Sequence, residues 1–414
     1  MRLPKYSMGI GDRFAHQGVA QIDAMISARK QGVTIAPVWN KSYREHSIVG
    51  TKPDSVRSEA DAAVKARAWT DPYFVDADHI RLKTVDGFLD SSDFFTLDVA
   101  DDIGADPGED TIKRFTAKHK PLIGRHEIPG IDRPLEISDA LFAGAARKFL
   151  AAVREAGKIW RHIEKAKGAD KVVIEVSMDE TDRPQTPAEL LVILAAVADE
   201  AIPAQTIAPR FTGEFLKGVD YIGPVEQFCK EFDEDLAVIA FAVRQFCLPD
   251  NLKLSVHSGS DKFSLYRPMH KSLKKFDAGV HLKTAGTTWL EELIGLAAGG
   301  GLTIAKEIYA QALDRLDELC APYASVIKID RSALPSTDTV GKWDAVAFAS
   351  ALRHDQKCKA YNPNLRQLLH VGYKLAAEMG SRFTAALEKH ADVVAANVTE
   401  NIYQRHICPL FLGK

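Results

Sequence analysis

Short apolar runs alternate with longer amphipathic segments over the first 300 residues of the chain. Eight of these runs are rich in Val, Ile and Phe. Several are apolar at consecutive positions, which is typical of strands covered on both faces. We predict these strands at residues 7–14, 33–40, 73–80, 94–100, 171–180, 204–211, 252–261 and 278–284.

The segments between and after these runs carry apolar residues at helical spacing. We predict helices at residues 138–167, 186–200, 225–246, 287–298, 302–320, 342–352 and 365–396. Ser138, Thr186 and Thr287 stand where N-caps are expected, and Pro187 suits a first helical turn. The three glycines at 299–301 predict a break between two helices.

Strands that alternate with helices favour a parallel sheet with right-handed crossovers, and eight strands favour closure into a barrel. We therefore predict an α/β fold, a decorated (β/α)8 barrel of the TIM type, over residues 1–300. Residues 301–414 are predicted to form a helical C-terminal extension packed on the barrel or between subunits of a homo-oligomer. Residues 103–141 are rich in Gly, Asp and Pro, and we predict a long insertion that acts as a lid, with Arg125 or His126 reaching the site.

Composition narrows the class of protein. The 414 residues are 46% hydrophobic and 26% charged, with a net charge of −3, so no basic footprint for nucleic acid is present. No apolar run reaches the ~18 residues of a membrane helix, and the first 14 residues lack the apolar core of a signal peptide. The five cysteines are widely spaced and predict reduced thiols. We expect a cytoplasmic protein whose partner is a small molecule, with neither nucleic acid nor membrane bound.

Polar residues collect at the ends of the predicted strands, where parallel α/β barrels build their active sites. His79, His257 and His281 each lie in or just after an apolar run. Three imidazoles with an open position form a common divalent-metal site, for Zn²⁺, Mn²⁺ or a similar ion. The alternative for each histidine is a hydrogen-bonded core residue. We predict that these three bind one metal ion.

Two carboxylates are predicted to transfer protons. Asp78 directly precedes His79, and Glu175 stands among Val and Ile in mid-strand, where an acid is unfavourable unless it is paired or ligating. Glu175 and Asp179 share one face of their strand. Either Asp78 or Glu175 can serve as the base, and structural ion pairing is the alternative for each.

An anionic substrate is suggested by the turn at residues 257–262, HSGSDK, whose backbone N–H groups can face an anion. An arginine fork or a lysine would bind a carboxylate. The residues predicted to bind substrate are Arg13, Arg210, Ser258, Asp261, Lys262 and Lys283. A helix N-cap is the alternative function of the turn. No GxGxxG or GxxxxGK[ST] occurs at a predicted strand end, so no nucleotide cofactor is predicted.

Two short segments resemble the zinc-dependent (class II) aldolases. In that family an Asp-His pair ends one barrel strand and a His-Gly-Gly-Ser loop ends another, as DADH (76–79) and HSGS (257–260) do here. The family's histidines bind metal and its aspartate assists proton transfer. Glu175 is placed like the acidic residue on the family's middle strand, whereas Ser258 replaces the first loop glycine.

A wider resemblance spans residues 7 to 294 and is to the tagaturonate/fructuronate epimerase family. It is carried, in order, by SMGIGDRFAHQG, YFVDADHI, EVSMDETDRPQTPAEL, QTIAPRFTGEFLKGVDYIG, LSVHSGSDKFSLY and GVHLKTAGTTWLEEL. It implies a metal-dependent isomerase with a decorated barrel that inverts one carbinol carbon of a ketohexuronate in hexuronate catabolism.

The resemblance suggests a mechanism. The two ketohexuronates differ at the carbon β to the ketone, whose proton the carbonyl does not acidify, so we expect retro-aldol cleavage, rotation and re-addition. Transient oxidation by NAD is the alternative chemistry, but no dinucleotide fingerprint supports it. Rival functions are a true class II aldolase, a sugar isomerase and a non-enzymatic sugar-acid binding protein.

Overall fold

Eight parallel strands close into a barrel in the computed structural model, which describes residues 1–414. Each predicted strand overlaps one of the eight, so the predicted barrel is confirmed. The barrel order is β1-β2-β3-β4-β7-β8-β9-β10, and β5 and β6 form a separate antiparallel hairpin. The strands are β1 Tyr6–Ile10, β2 Ala36–Ser42, β3 Phe74–Ile80, β4 Phe94–Asp98, β5 Gly124–His126, β6 Leu135–Ile137, β7 Val173–Ser177, β8 Ala204–Ala208, β9 Lys253–Val256 and β10 Val280–Lys283.

Helices connect the strands and form the whole C-terminal part. They are α1 Gly18–Lys30, α2 Tyr43–Val49, α3 Asp54–Ala66, α4 Glu109–Lys118, α5 Asp139–Lys167, α6 Pro187–Asp199, α7 Val225–Phe246, α8 Phe263–Lys275, α9 Gly286–Leu296, α10 Leu302–Asp314, α11 Leu316–Cys320, α12 Thr337–Gly341, α13 Ala345–Leu352, α14 Pro363–Val371, α15 Tyr373–Met379, α16 Ser381–Lys389 and α17 Ala391–Glu400. Two π-helical segments lie at Ala297–Gly301 and Asn401–Leu412. No helix combines the length and the apolar character that a membrane span requires.

Local sequence explains where the main helices begin. Ser138 caps α5 by accepting a hydrogen bond from the backbone of Leu141, and Thr186 forms a capping box with Glu189 at α6. Both predicted caps are confirmed. The predicted cap Thr287 is wrong, because α9 begins one residue earlier and the hydroxyl of Thr287 donates to a buried aspartate instead.

The C-terminal helices pack directly on the barrel. One hydrophobic core of 104 buried residues runs without a break from Met8 on β1 to Phe411 near the C-terminus. Gly300 has a φ of +113° and separates α9 from α10, as predicted. The segment predicted as one helix at 365–396 is divided among four helices, α14 to α17. The predicted boundary between the barrel domain and the C-terminal extension, at residue 300, stays a prediction. The hydrophobic core is continuous across it and marks no boundary there.

The insertion at 103–141 does not cover the strand ends. Its apolar residues Ile112 and Phe115 are buried against the outer helices. The turn of the β5–β6 hairpin places Gly130 against Phe276, in the connection that leads into β10. That connection lies at the amino ends of the strands, on the opposite side of the barrel from their carboxyl ends. The predicted lid, with Arg125 and His126 as site residues, is therefore corrected: apolar burial holds the insertion on the helices.

Candidate active site and metal centre

A buried lysine lies at the centre of the carboxyl ends of the strands. The Nζ atom of Lys283, on β10, lies 3.0 Å from Oδ2 of Asp76, 2.7 Å from Oδ1 of Asp78 and 3.0 Å from Oε1 of Glu175. It also donates to the hydroxyl of Thr96 at 2.6 Å. This single ammonium is shared by three acids from β3 and β7. The prediction that Lys283 binds the substrate carboxylate is corrected, because its donors are already used.

His79 reaches the site through an irregularity in β3. Consecutive residues of a strand point to opposite faces, so Asp78 and His79 cannot both face the interior of a regular strand. The pairing of β3 with β4 shifts register between Ala77 and Ile80, and His79 adopts a φ of +53°. Nδ1 of His79 donates to Oδ1 of Asp78 at 2.9 Å. The bulge thus brings two adjacent functional side chains to one site.

His257, directly after β9, lies between two acids of the β7 strand and loop. Its Nε2 donates to Oε1 of Glu175 at 2.7 Å, and its Nδ1 lies 3.2 Å from Oδ1 of Asp179. Its ring centroid is 5.1 Å from that of His79. Ser177 donates to the same Asp179 oxygen at 2.6 Å and so orients the carboxylate.

One nitrogen or oxygen atom from each of His79, Asp179 and His257 lies within 4.8 Å of the others. The chemistry of this donor set fits a divalent ion, since two imidazoles and a carboxylate are common ligands of Zn²⁺ and Mn²⁺. Each imidazole also has its second nitrogen bonded to a carboxylate, Asp78 or Glu175. That arrangement fixes the orientation of metal-ligating histidines in known sites.

His281, the third predicted ligand, is not part of this group. It is fully buried, its Nδ1 lies 2.9 Å from the hydroxyl of Ser7, and its Nε2 has no partner. It precedes Lys283 by two residues on β10, so both point inward but His281 lies one layer deeper in the barrel. Its ring centroid is 5.3 Å from that of Phe94. Asp179, which the sequence placed on the same face as Glu175, lies beside His79 and His257 instead.

Charge pairing decides the ionisation of the acids. Burial opposes ionisation of Asp78 and Glu175, but Lys283 and the adjacent histidines outweigh it and hold both pKa values well below the ordinary range. Burial raises the pKa of Asp76 to about 7, because Lys283 offsets it only in part. Burial also lowers the pKa of His281 to about 3, so its imidazole is neutral.

Two residues predicted to bind substrate belong to structural networks instead. The three ammonium protons of Lys262 are donated at 2.7 to 2.9 Å to the carbonyls of Leu216, Val219 and Ser260. Asp261 is fully buried and pairs with Arg366 at 3.1 Å. Lys262 has no free ammonium proton, and Asp261 is enclosed in the core beside Arg366 and Thr287, so both predictions are corrected.

Arg13, Arg210 and Ser258 follow strands β1, β8 and β9, and their contact with substrate stays a prediction. Arg13 donates to Glu45 at 2.9 Å and stacks 4.4 Å above the ring of Tyr373. The guanidinium of Arg210 donates to a main-chain carbonyl of the loop after β7. Ser258 has a φ of +47° and accepts a hydrogen bond from Lys217 at 2.9 Å. Lys217 was missed from sequence, because it lies away from the predicted strand ends, in a segment used only for the family resemblance.

A family model described as tagaturonate epimerase (UxaE) matches residues 1–408. A curated tagaturonate/fructuronate epimerase from Thermotoga maritima is 26% identical over 417 residues, covering 97% of this chain and 80% of that protein. The glycerol-complexed crystal structure of the fructuronate-tagaturonate epimerase UxaE from Cohnella laeviribosi superposes with a TM-score of 0.82. It is 23% identical and covers 98% of this chain and 81% of that one. The native structure of the same enzyme, at 24% identity, gives a TM-score of 0.79 with the same coverage.

Proposed function

This chain belongs to the tagaturonate epimerase family, and we propose that it interconverts D-tagaturonate and D-fructuronate. Family membership makes it an epimerase, an enzyme of the isomerase class. The observation that carries the proposal for this site is the pair of imidazoles, His79 and His257, each braced by a carboxylate and both beside Asp179.

We propose that His79, His257 and Asp179 hold one divalent ion, Zn²⁺ or Mn²⁺. Their donor atoms lie close together, and the side chains of His79 and Asp179 keep 26% and 23% of their surface exposed, so a ligand can approach. Such an ion supplies Lewis-acid stabilisation of negative charge that develops on a carbonyl oxygen.

The reaction we propose is a retro-aldol cleavage followed by re-addition. The hydroxyl on the carbon β to the ketone loses its proton to a base, and the bond between the α and β carbons breaks. The electron pair moves to the ketone, giving an enediolate and an aldehyde. The aldehyde turns its other face, the bond forms again, and the proton returns to the new hydroxyl. No oxidant or reductant is consumed.

The geometry favours Asp78 as that base. Its side chain is 14% exposed, whereas Glu175 is fully buried and unreachable for substrate. Each acid shares one oxygen with a histidine and with Lys283, so exposure is what separates the two. Asp78 can therefore meet a substrate hydroxyl, while Glu175 acts as a positioning residue that sets the direction of the His257 ring.

Isotopic labelling tests the proposed chemistry. In deuterated water, retro-aldol epimerisation leaves no deuterium on the inverted carbon, because its C–H bond is never broken. Deuterium at that carbon would exclude the mechanism in favour of direct deprotonation. Free three-carbon products in stoichiometric yield would indicate a true aldolase. Activity that survives exhaustive chelation would remove the metal from the scheme.

A further inference from the structure

The loop between β8 and α7 lies beside the metal site and is tightly held. Lys262 donates to two of its carbonyls, at 2.8 and 2.7 Å, and the buried guanidinium of Arg366 donates to a third at 2.7 Å. The backbone N–H of Lys217 donates to the carbonyl of Val326 at 2.8 Å. Three contacts from distant parts of the chain therefore fix the backbone on both sides of Lys217.

The ammonium of Lys217 has free hydrogen-bond donors. It makes one hydrogen bond, to the hydroxyl of Ser258 at 2.9 Å, which leaves two N–H donors free. Ser258 directly follows the proposed ligand His257. The Lys217 side chain is half-buried, so its free donors face a restricted volume next to the metal site. A fixed cation with free donors is what an anionic ligand group requires.

Two other lysines near the carboxyl ends of the strands have their donors in use. Lys262 donates its three ammonium protons to main-chain carbonyls, and Lys283 is enclosed by three carboxylates. Arg13 is paired with a glutamate, and Arg210 donates to a carbonyl of the loop after β7. Of the three lysines Lys217, Lys262 and Lys283, Lys217 alone keeps free ammonium donors beside the ligand-bearing strands.

Electrostatics agrees with this placement. Burial lowers the pKa of Lys217, and the carboxylates of Glu45, Asp78 and Asp179 partly offset the effect while Arg13 adds to it. Lys217 is therefore within electrostatic range of both the proposed base and a proposed ligand. A substrate carboxylate placed between these acids without a cation would be repelled, so a cation at this position decides whether sugar acids bind.

We propose that Lys217 binds the carboxylate of the substrate and makes the site selective for sugar acids over neutral ketohexoses. The inference rests on the proposed function. In the cleavage described above, the ketone and the carboxylate lie on opposite sides of the broken bond. The carboxylate therefore remains on the aldehyde fragment. Lys217 holds that fragment in the site while its aldehyde group turns.

The test compares two ligands, a ketohexuronate and the neutral ketohexose in which a hydroxymethyl group replaces the carboxylate. Dissociation constants are measured by calorimetry for wild type, Lys217→Met and Lys217→Arg. Loss of one charge-assisted hydrogen bond weakens binding of the acid about 10- to 100-fold in Lys217→Met, with partial recovery in Lys217→Arg. Binding of the neutral sugar is unchanged. During turnover of the ketohexuronate, Lys217→Met releases more of the aldehyde fragment into solution than wild type does.

Lys328→Met is the control for disturbance of the loop, because Lys328 pairs with Glu214 of the same loop at its exposed side. It leaves binding of both ligands unchanged. Equal loss of both ligands in Lys217→Met, or no loss of the acid, would overturn the inference. If wild type binds the acid through Lys217 but does not epimerise it, the proposed function fails and the carboxylate site stands.

Discussion

Nε2 of His257 donates to Oε1 of Glu175 at 2.7 Å, and neither side chain is more than slightly exposed. This bond leaves the other ring nitrogen, Nδ1, directed at Asp179. A buried carboxylate thus sets both the tautomer and the direction of an imidazole next to a proposed metal ion. The role of Glu175 follows from this bond.

Glu175→Gln tests that role. The amide removes the negative charge and offers His257 a weaker acceptor, so we expect metal affinity to fall about 10- to 100-fold. Competition with a fluorescent chelator measures the affinity. Asp235→Asn is the matched control, since Asp235 is also buried but lies on α7 outside the site. Unchanged affinity in Glu175→Gln would show that Glu175 does not orient a ligand.

Asp78→Asn tests the proposed base. An amide cannot take the hydroxyl proton, so we expect kcat to fall by about 10² to 10⁴ while KM stays within a few-fold of wild type. Steady-state kinetics with metal at saturation measures both constants. Saturation is needed because Asp78 also bonds to His79. If kcat recovers fully at high metal concentration, Asp78 supports the ligand and another group moves the proton.

Arg366→Met tests how the C-terminal extension is fixed. Arg366 is fully buried and pairs with Asp261 at 3.1 Å and Glu291 at 3.3 Å. Its removal leaves two buried carboxylates without a cation, so we expect a loss of about 3–5 kcal/mol in the free energy of unfolding. Urea denaturation measures it. Arg382→Met, at an exposed pair with Glu307, should leave the midpoint unchanged. Similar midpoints for both variants would show that the buried Arg366 ion pairs do not stabilise the fold.

Lys253 should make the free energy of unfolding depend on pH. Burial lowers its pKa in the folded protein to about 7, whereas the unfolded chain has the ordinary value near 10.5. Between these values the unfolded state binds the proton more tightly, so stability rises with pH, by at most about 1.4 kcal/mol per pH unit. Unfolding free energies from pH 7 to 9.5 should rise less steeply in Lys253→Met than in wild type. Parallel pH curves would show that Lys253 is not the cause.

The barrel, and two of the three residues of the proposed metal site, were predictable from local sequence. Apolar runs marked all eight strands, and DADH and HSGS marked two strand ends, so His79 and His257 were found together. The separation of His281 from this group could not be predicted, because alternation along a strand indicates which way a residue points but not its depth. Depth depends on the register between strands.

The substrate contacts were less predictable because they depend on which donors are already used. Lys262 and Lys283 look available in sequence, but distant carbonyls and carboxylates occupy their protons. Lys217 lies away from the predicted strand ends, and its position depends on Val326 and Arg366, which lie more than 100 residues away in sequence. Contacts between remote segments cannot be inferred from spacing along the chain.

The most direct test is metal stoichiometry in parallel variants: His257→Ala, Asp179→Ala and His281→Ala. The proteins are loaded with Zn²⁺ or Mn²⁺, desalted and analysed by atomic emission. We expect one ion per chain in wild type and in His281→Ala, and a large loss of bound ion in His257→Ala and Asp179→Ala. Loss in His281→Ala with retention in Asp179→Ala would contradict the ligand set, and a wild-type protein that binds no ion would contradict the metal site itself.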